Sequence, residues 1–232
     1  MRVLIYGITG KMGRSVASEI KKHSCFELIG GISRNKATLD NMFIFNSLDD
    51  VDAVDLIIDF SHYSNLKKII DYSVLKKVAL VLGTTGYSEA DFLSIKDASR
   101  HIPIIYSENF SLGINTIINS LNIYLKNLKD FEIEILEKHH KEKLDAPSGT
   151  AKRLIREIKK FRGEEIKAHC IRSSNIGGEH SIFFFGEDEE IEIKHKITSK
   201  LVFARGAIKA AKYIMNKQYG LYTIFDLGED EK

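Results

Sequence analysis

The chain has 232 residues, 44% hydrophobic and 28% charged, enough for one large or two small globular domains with a buried core. Its 34 Lys and Arg stand against 32 Asp and Glu, a formal net charge of +2, so no bulk attraction draws it to nucleic acid or to an anionic membrane surface. Cys25 and Cys170 lie far apart without CxxC or Cys/His spacing, which argues against a disulfide framework or a structural zinc site.

Buried or half-buried free thiols in a reducing compartment are therefore expected. Met1 leads straight into an apolar strand pattern, and no stretch reaches the length of a membrane span, so the expected location is the cytoplasm.

Taken in order, short apolar runs at residues 3–5, 28–32, 54–60, 78–82 and 102–106 are bounded by Gly, Asp or Ser. Such runs are what strands buried on both faces look like. Between them, 14–23, 65–77 and 88–100 carry apolar residues at helical spacing, for example Leu66, Ile69, Ile70 and Val74. Strand and helix alternate, which predicts a Rossmann-type doubly wound parallel sheet over residues 1–110.

Beyond residue 110 the rhythm changes. Residues 115–128 and 152–161 read as helices, whereas 132–137 and 190–197 alternate polar and apolar, with Ile191, Ile193, His195 and Ile197 on one face. That period of two predicts antiparallel or mixed strands with one covered face. Residues 206–216 are helical and rich in Ala, and 222–227 reads as a closing strand. The expected organisation is a dinucleotide-binding domain (1–110, with 205–232 packing back on it) and an α+β substrate-binding and oligomerisation domain (111–204). With only two prolines there is no Pro-rich linker, and no internal repeat is visible.

The turn Gly7-Ile8-Thr9-Gly10-Lys11-Met12-Gly13 follows one strand and precedes a helix. Glycines there permit a tight turn and close approach to a pyrophosphate, and the helix start offers free N–H groups to phosphate. The spacing is GxxGxxG, with Thr9 where the common fingerprint has its second glycine, so a glycine turn without cofactor significance stays open. The second strand ends in Ser33-Arg34-Asn35-Lys36, with no carboxylate to hold a ribose 2′-hydroxyl. A small hydroxyl followed by Arg and Lys suits a 2′-phosphate and leans to NADP or dual use, although solvated loop charges would look the same. Asp59-Phe60-Ser61 and Gly83-Thr84-Thr85-Gly86 close further strands on the same side.

The run from Glu137 to Ala151 is the most unusual segment. His139 and His140 are adjacent, charged neighbours follow, and Pro147-Ser148-Gly149-Thr150 precedes a helix. A His suits general acid catalysis, a Lys anchors an anion or donates a proton, and Ser148 and Thr150 at a helix start suit a carboxylate. A solvated loop and a plain helix cap are the competing readings, and His-His without a third ligand is a poor metal site.

The pattern Glu137-x-His139-His140-x-x-Lys143-x-Asp145-Ala146-Pro147-Ser148-Gly149-Thr150-Ala151 resembles the signature of the 4-hydroxy-tetrahydrodipicolinate reductase family, also called dihydrodipicolinate reductases. Gly7 to Gly13, Asp59-Phe60-Ser61, Gly83 to Gly86, Asn109-Phe110-Ser111-x-Gly113-x-Asn115 and Gly178-Glu179-His180 follow the same pattern in order, so the likeness spans nearly the whole chain. The resemblance implies hydride transfer from NADPH or NADH to a cyclic, unsaturated 2,6-dicarboxylate, giving tetrahydrodipicolinate for lysine and diaminopimelate synthesis.

By the same resemblance His139 and Lys143 are catalytic, and His140, Ser148, Gly149 and Thr150 hold the substrate. Cofactor binding falls to Gly7, Ile8, Thr9, Gly10, Lys11, Met12, Ser33, Arg34, Phe60, Gly83, Thr84, Thr85, Ser107, Glu108, Asn109 and Phe110. No metal, nucleic acid or membrane partner is implied, and the assembly is a homotetramer built through the sheet of the second domain. Three departures touch cofactor details: Ser107-Glu108 where small apolar residues are usual, His62 in place of a proline, and Arg172-Ser173-Ser174 in place of Arg-x-Gly. A dehydrogenase acting on another small dicarboxylate or amino acid, or a non-catalytic NAD(P)-binding sensor, are the alternatives. An intact proton-transfer run argues against the sensor.

Overall fold

The computed structural model describes residues 1–33 and 42–228. Arg34 and Lys36, singled out above for the 2′-phosphate, lie outside the described residues. The chain divides into two compact units, Met1–Ser111 with Leu201–Lys232, and Leu112–Lys200.

The first unit begins with β1 (Arg2–Tyr6), α1 (Lys11–Ile20), β2 (Glu27–Ile32), a short β3 (Ile44–Phe45) and β4 (Leu56–Asp59). It continues through α2 (Leu66–Lys76), β5 (Ala79–Leu82), α3 (Glu89–Ala98) and β6 (Pro103–Tyr106). Val3, Leu4 and Ile5, like Leu56, Ile57 and Ile58, are fully buried, so consecutive residues fill both faces of the sheet. One face packs Val3, Ile5 and Ile58 with Val16 and Ile20 of α1, and the other packs Leu4, Ile57 and Leu80 with Ile69 of α2 and Ile95 of α3. At about 1.5–3 kcal/mol per buried aliphatic side chain, these runs are the main driving force for a two-sided sheet. Helix starts are fixed locally: Ser88 Oγ accepts from the Asp91 N–H, and the Asp91 carboxylate accepts from the Ser88 N–H.

The second unit holds α4 (Leu112–Asn127), β7 (Glu132–His139), α5 (Gly149–Arg162), β8 (Lys167–Arg172), β9 (Glu179–Phe185) and β10 (Glu190–Lys196). Its strands run in the order β10-β9-β7-β8, with β7 and β8 parallel and the other pairs antiparallel. The two strands expected from their alternation are therefore not neighbours, because β9 lies between them. That central strand was not anticipated: Ile182-Phe183-Phe184-Phe185 is apolar at every position and shows no period. One sheet face is covered, with Ile133, Ile135, Ile182, Phe184, Leu154 and Ile158 buried. On the other, Phe183 and Phe185 stack at 5.7 Å.

The chain then returns to the first unit through α6 (Leu201–Ile214) and β11 (Gly220–Thr223). The seven-stranded order is β11-β6-β5-β4-β1-β2-β3, parallel throughout. The helix starts five residues before the expected 206, and the closing strand ends at Thr223, after which Ile224–Gly228 is a 3₁₀ turn. Small residues let α6 sit close: a methyl group on Gly206 would lie 1.7 Å from the Phe110 carbonyl oxygen. Glu19 on α1 meets Arg205 of α6 at 3.6 Å and Lys22 at 2.8 Å.

Cys25 and Cys170 are free, but both are exposed rather than buried. Cys25 falls in the turn after α1, and Cys170 is on β8, an edge strand. Among the described residues, no helix is long and apolar enough to cross a membrane.

Candidate active site

In the first unit the candidate residues gather at the C-terminal ends of parallel strands, where open α/β sheets bind ligands. Gly7 turns with φ +86°, and a Cβ there would come within 2.6 Å of the Phe60 carbonyl oxygen. Gly13 faces the same constraint from below, with a virtual Cβ 2.2 Å from the Gly7 carbonyl oxygen. Gly10 caps α1 without any side-chain hydrogen bond. The first-turn amides thus keep the capacity to bind an anion. Thr9, in place of a glycine, hydrogen-bonds through its hydroxyl to Ser33 Oγ and links the turn to the end of β2. Lys11 is exposed and Met12 half-buried.

Several residues expected at the cofactor also hold the loops in place. Ile8 is fully buried, and Phe110 is 1% exposed with its ring edge-on to Phe60 at 5.7 Å. Asp59 organises two turns from beneath: it accepts from the Ser61 N–H (3.1 Å), from Thr84 Oγ1 (2.7 Å) and from the Tyr87 hydroxyl (3.3 Å). Burial pushes the Asp59 carboxyl up, against hydrogen bonds from Ser61 and Thr84 that favour its ionised form. Burial likewise raises the Tyr87 phenol, helped by Asp59. Gly83 lies against the Phe60 ring, and Thr85 stays exposed. Ser107 is buried and donates to the Asn109 carbonyl, Ser111 N–H donates to Asn109 Oδ1, and Glu108 faces solvent. His62, at the usual proline, caps the turn Tyr63–Asn65 by accepting from the Ser64 N–H at 3.3 Å.

The second unit holds the other constellation. On β7 the covered face carries Ile133 and Ile135, then Glu137 and His139, so the alternation that builds the core also buries a carboxylate and an imidazole. Register places Glu137 between Cys170 of β8 and His180 of β9, and His139 beside Arg172. The Glu137 carboxylate accepts from Arg172 Nη2 at 2.6 Å and from the Ser148 N–H at 3.0 and 3.1 Å. His139 Nδ1 and His180 Nε2 each lie 3.5 Å from Glu137 Oε2. Burial pushes the Glu137 carboxyl up, but hydrogen bonds from Ser148, Arg172 and Cys170 outweigh it and hold it at about 2. Burial lowers the His139 imidazole; Glu137 opposes that shift, and Lys143 and Arg172 add to it. His180 is pushed down to about 4 by burial and by His139.

Ser148 caps α5, accepting from the Ala151 N–H at 3.2 Å, and its hydroxyl lies 3.0 Å from His180 Nε2. Gly149 opens the helix exposed, with Thr150 half-buried behind it. Lys143 Nζ donates to Asp145 at 2.7 Å, and its N–H donates to the His140 carbonyl. The Asp145 carboxyl is lowered first by Lys143, with the Gly149 N–H among the contributing donors. Arg172 also donates to the Asp145 carbonyl at 2.6 Å and to that of Lys143 at 3.3 Å, clasping the loop from outside. Ser174, where the resemblance has glycine, takes a left-handed φ of 42°. Its carbonyl accepts from the Lys141 N–H, and the Ser173 N–H donates to the His139 carbonyl.

His139 and the Ser148 amide are therefore drawn to one buried carboxylate, and Lys143, in the loop between them, acts on the His139 imidazole. Roles for Glu137, Arg172 and His180 in that network were not assigned from sequence, although Glu137 and His180 both fall within the quoted motifs. Among the described residues, Glu137, His139 and His180 are the grouping whose ligand atoms, within 4.8 Å of one another, approach metal-site spacing. The carboxylate is already engaged by Arg172 and Ser148, and the adjacent guanidinium opposes a dication.

Comparison with known proteins agrees over the full length. Residues 1–110 match the family model described as dihydrodipicolinate reductase, N-terminus, and 113–227 the one described as dihydrodipicolinate reductase, C-terminus. A 4-hydroxy-tetrahydrodipicolinate reductase of Caldanaerobacter subterraneus subsp. tengcongensis is 37% identical, covering 98% of each chain. One of Brachyspira hyodysenteriae is 39% identical over 97% of this chain and 98% of that one. Among solved structures, a dipicolinate-bound dihydrodipicolinate reductase from Paenisporosarcina sp. TG-14 shares the fold, with TM-score 0.84 at 21% identity over 96% of this chain and 97% of that chain.

Proposed function

The chain belongs to the dihydrodipicolinate reductase family, and on that premise we propose that it is a 4-hydroxy-tetrahydrodipicolinate reductase. It reduces a cyclic, unsaturated 2,6-dicarboxylate with NADPH or NADH, giving tetrahydrodipicolinate for lysine and diaminopimelate synthesis. The observation that carries this reading is Glu137, one buried carboxylate that adjoins His139 and anchors the Ser148 amide at the start of α5. A proton donor and an anion cradle are thereby built into one unit.

We assign the phosphates and ribose of a dinucleotide to the turn from Gly7 to Gly10, the first amides of α1 and Ser33, a turn whose tight packing needs glycine at 7 and 13 because a Cβ at either would strike backbone. Bound there, the nicotinamide supplies a hydride. The chain supplies the rest. Lys143 and the helix start at Ser148, Gly149 and Thr150 attract the carboxylates of the substrate, with His140 beside them. His139 holds a proton for the carbon that hydride addition leaves electron-rich, a role that general acid catalysis makes worth about 10²–10⁴-fold.

Supplying the condensation product of aspartate semialdehyde and pyruvate to the purified protein, and following loss of reduced cofactor by absorbance, tests the activity. His139→Ala should lower kcat by about 100-fold or more with cofactor affinity unchanged. Turnover with another dicarboxylate or an amino acid, and none with this substrate, would overturn the assignment.

Ser33 and Arg34 extend the reading to NADPH, or to use of both cofactors. Arg34→Ala should weaken NADPH more than NADH; an equal loss for both would sink that extension. The open face of the second sheet, with Phe183 and Phe185, is the surface we assign to contact between copies in a homotetramer, to be checked by sedimentation. The cytoplasm is the compartment that this reading implies.

A further inference from the structure

We infer that Glu137 is the positioning residue for His139, fixing which imidazole nitrogen carries hydrogen so that the other takes up and delivers the proton. The inference rests on the reductase reading but goes beyond it, since neither the motif nor the substrate assigns this carboxylate a task.

The geometry is asymmetric. His139 Nδ1 is buried, makes no hydrogen bond among the described residues, and has Glu137 Oε2 at 3.5 Å. If Nδ1 were bare, its lone pair would face an anion in a poorly solvated site; with hydrogen on Nδ1, the same separation is attractive. The neutral ring is thereby held as the Nδ1–H form, and Nε2 becomes the atom that is protonated from solvent and donates to substrate. A carboxylate beside a catalytic imidazole acts this way in hydrolase triads, by setting tautomer and orientation and stabilising the cation. A contact of 3.5 Å without substrate is one that closure around a ligand can shorten.

The carboxylate is itself locked. Arg172 and the Ser148 N–H occupy it from the sides of β8 and α5, so it cannot swing away from the ring. Charged and titratable groups around His139 comprise Glu137 on its own strand, Lys143 and Asp145 from the following loop, Arg172 on β8 and His180 on β9, whose ring centroid is 5.0 Å away. Of these, Glu137 and Asp145 favour the imidazolium, while Lys143 and Arg172 oppose it. Glu137 does so from 3.5 Å at Nδ1. Because the same carboxylate holds the Ser148 amide, it also fixes the proton donor relative to the start of α5.

The test is Glu137→Gln, which keeps shape and removes charge. Histidine-selective nitrogen NMR on the full chain should show His139 as the Nδ1–H form in the unaltered protein. In the variant its tautomers should mix and its titration should move to lower pH. In turnover, kcat at neutral pH should drop roughly 100-fold, its loss on the alkaline side should begin at lower pH, and NADPH affinity should stay within about twofold. An unmoved tautomer and titration would overturn the inference, as would a lower kcat with an unshifted pH profile. Glu137→Asp retains the charge beside Arg172 but withdraws it from His139, and should give an intermediate shift; it decides the matter should the Gln variant fail to fold. The NMR arm needs no turnover, so absence of reductase activity in the unaltered protein would remove the functional reading while leaving the coupling of Glu137 to His139 separately decided.

Discussion

The two candidate regions are built from opposite materials. At the strand ends of the first unit the architecture is one of backbone: glycines at 7 and 13 let the turn pack closely on carbonyl groups, and a buried carboxylate, Asp59, ties loops together from beneath. In the second unit the site is a network of ionisable side chains, Glu137, His139, Arg172 and His180, held in a packed core. Backbone sites are set by shape and tolerate little added volume. Charge networks are set by balance, and losing one partner strands the others.

The largest consequence of that contrast is in stability. Arg172→Met would leave Glu137 buried with the Ser148 amide but no counter-charge, a change that typically costs about 3–5 kcal/mol. Urea unfolding followed by circular dichroism should show it as a lower midpoint. A loss below about 1 kcal/mol would mean that the carboxylate takes up a proton at little cost, contrary to its strongly depressed titration.

The backbone site should respond in binding instead. Gly13→Ala places a methyl group where 2.2 Å separates it from the Gly7 carbonyl oxygen. The turn must then open, and NADPH affinity should fall by roughly 100-fold, about 2.7 kcal/mol. The His139 titration should not move, and if it did the independence of the two regions would be lost.

What sequence could reveal follows the same division. Val3-Leu4-Ile5 and Leu80-Val81-Leu82 announce buried strands because the cause, apolar side chains on both faces, is local, and the parallel sheet follows from their alternation with helices. Gly7, Gly10 and Gly13 are likewise legible, since a tight turn needs glycine wherever it occurs. The polar network was legible only in part. Glu137 and His139 share a period-two face with Ile133 and Ile135, a signal that both are buried; yet Arg172 comes from β8, and β7 and β8 pair in parallel at a register that no local pattern specifies. Nor does sequence show the packing of Ile8 and Phe110 or the hydrogen bond from Thr84 to Asp59. β9 escaped notice because Phe183-Phe184-Phe185 carries no alternation to read.

A pH dependence of stability should separate the regions further. His180 falls to about 4 from an ordinary 6.5, so the folded state binds fewer protons than the unfolded chain between those values, and stability drops as pH falls through that window. Glu137, held at about 2 against 4.5, contributes stability that is present above 4.5 and is lost at still lower pH. Unfolding midpoints at pH 7 and 5 should differ by about 1–2 kcal/mol on account of His180. His180→Asn should remove most of that difference, though its own stability at pH 7 will be lower. A slope unchanged in the variant would assign the acid sensitivity elsewhere.

The smallest effect sharpens the reading of the substrate cradle. Asp145 accepts from Lys143 and the Gly149 N–H, the two groups assigned to an incoming carboxylate, so this side chain competes with substrate for them. The pair is half-exposed, with Asp145 at 49% and Lys143 at 24%, and such pairs contribute only about 0–1 kcal/mol to stability. Asp145→Asn should therefore leave the unfolding midpoint nearly unchanged while lowering KM for the dicarboxylate about two- to threefold, the equivalent of roughly 0.5 kcal/mol. High salt should narrow the difference, because an exposed pair is screened whereas the Glu137 network is not. A raised KM would show instead that Asp145 holds Lys143 in place for the substrate, and would transfer it from competitor to support.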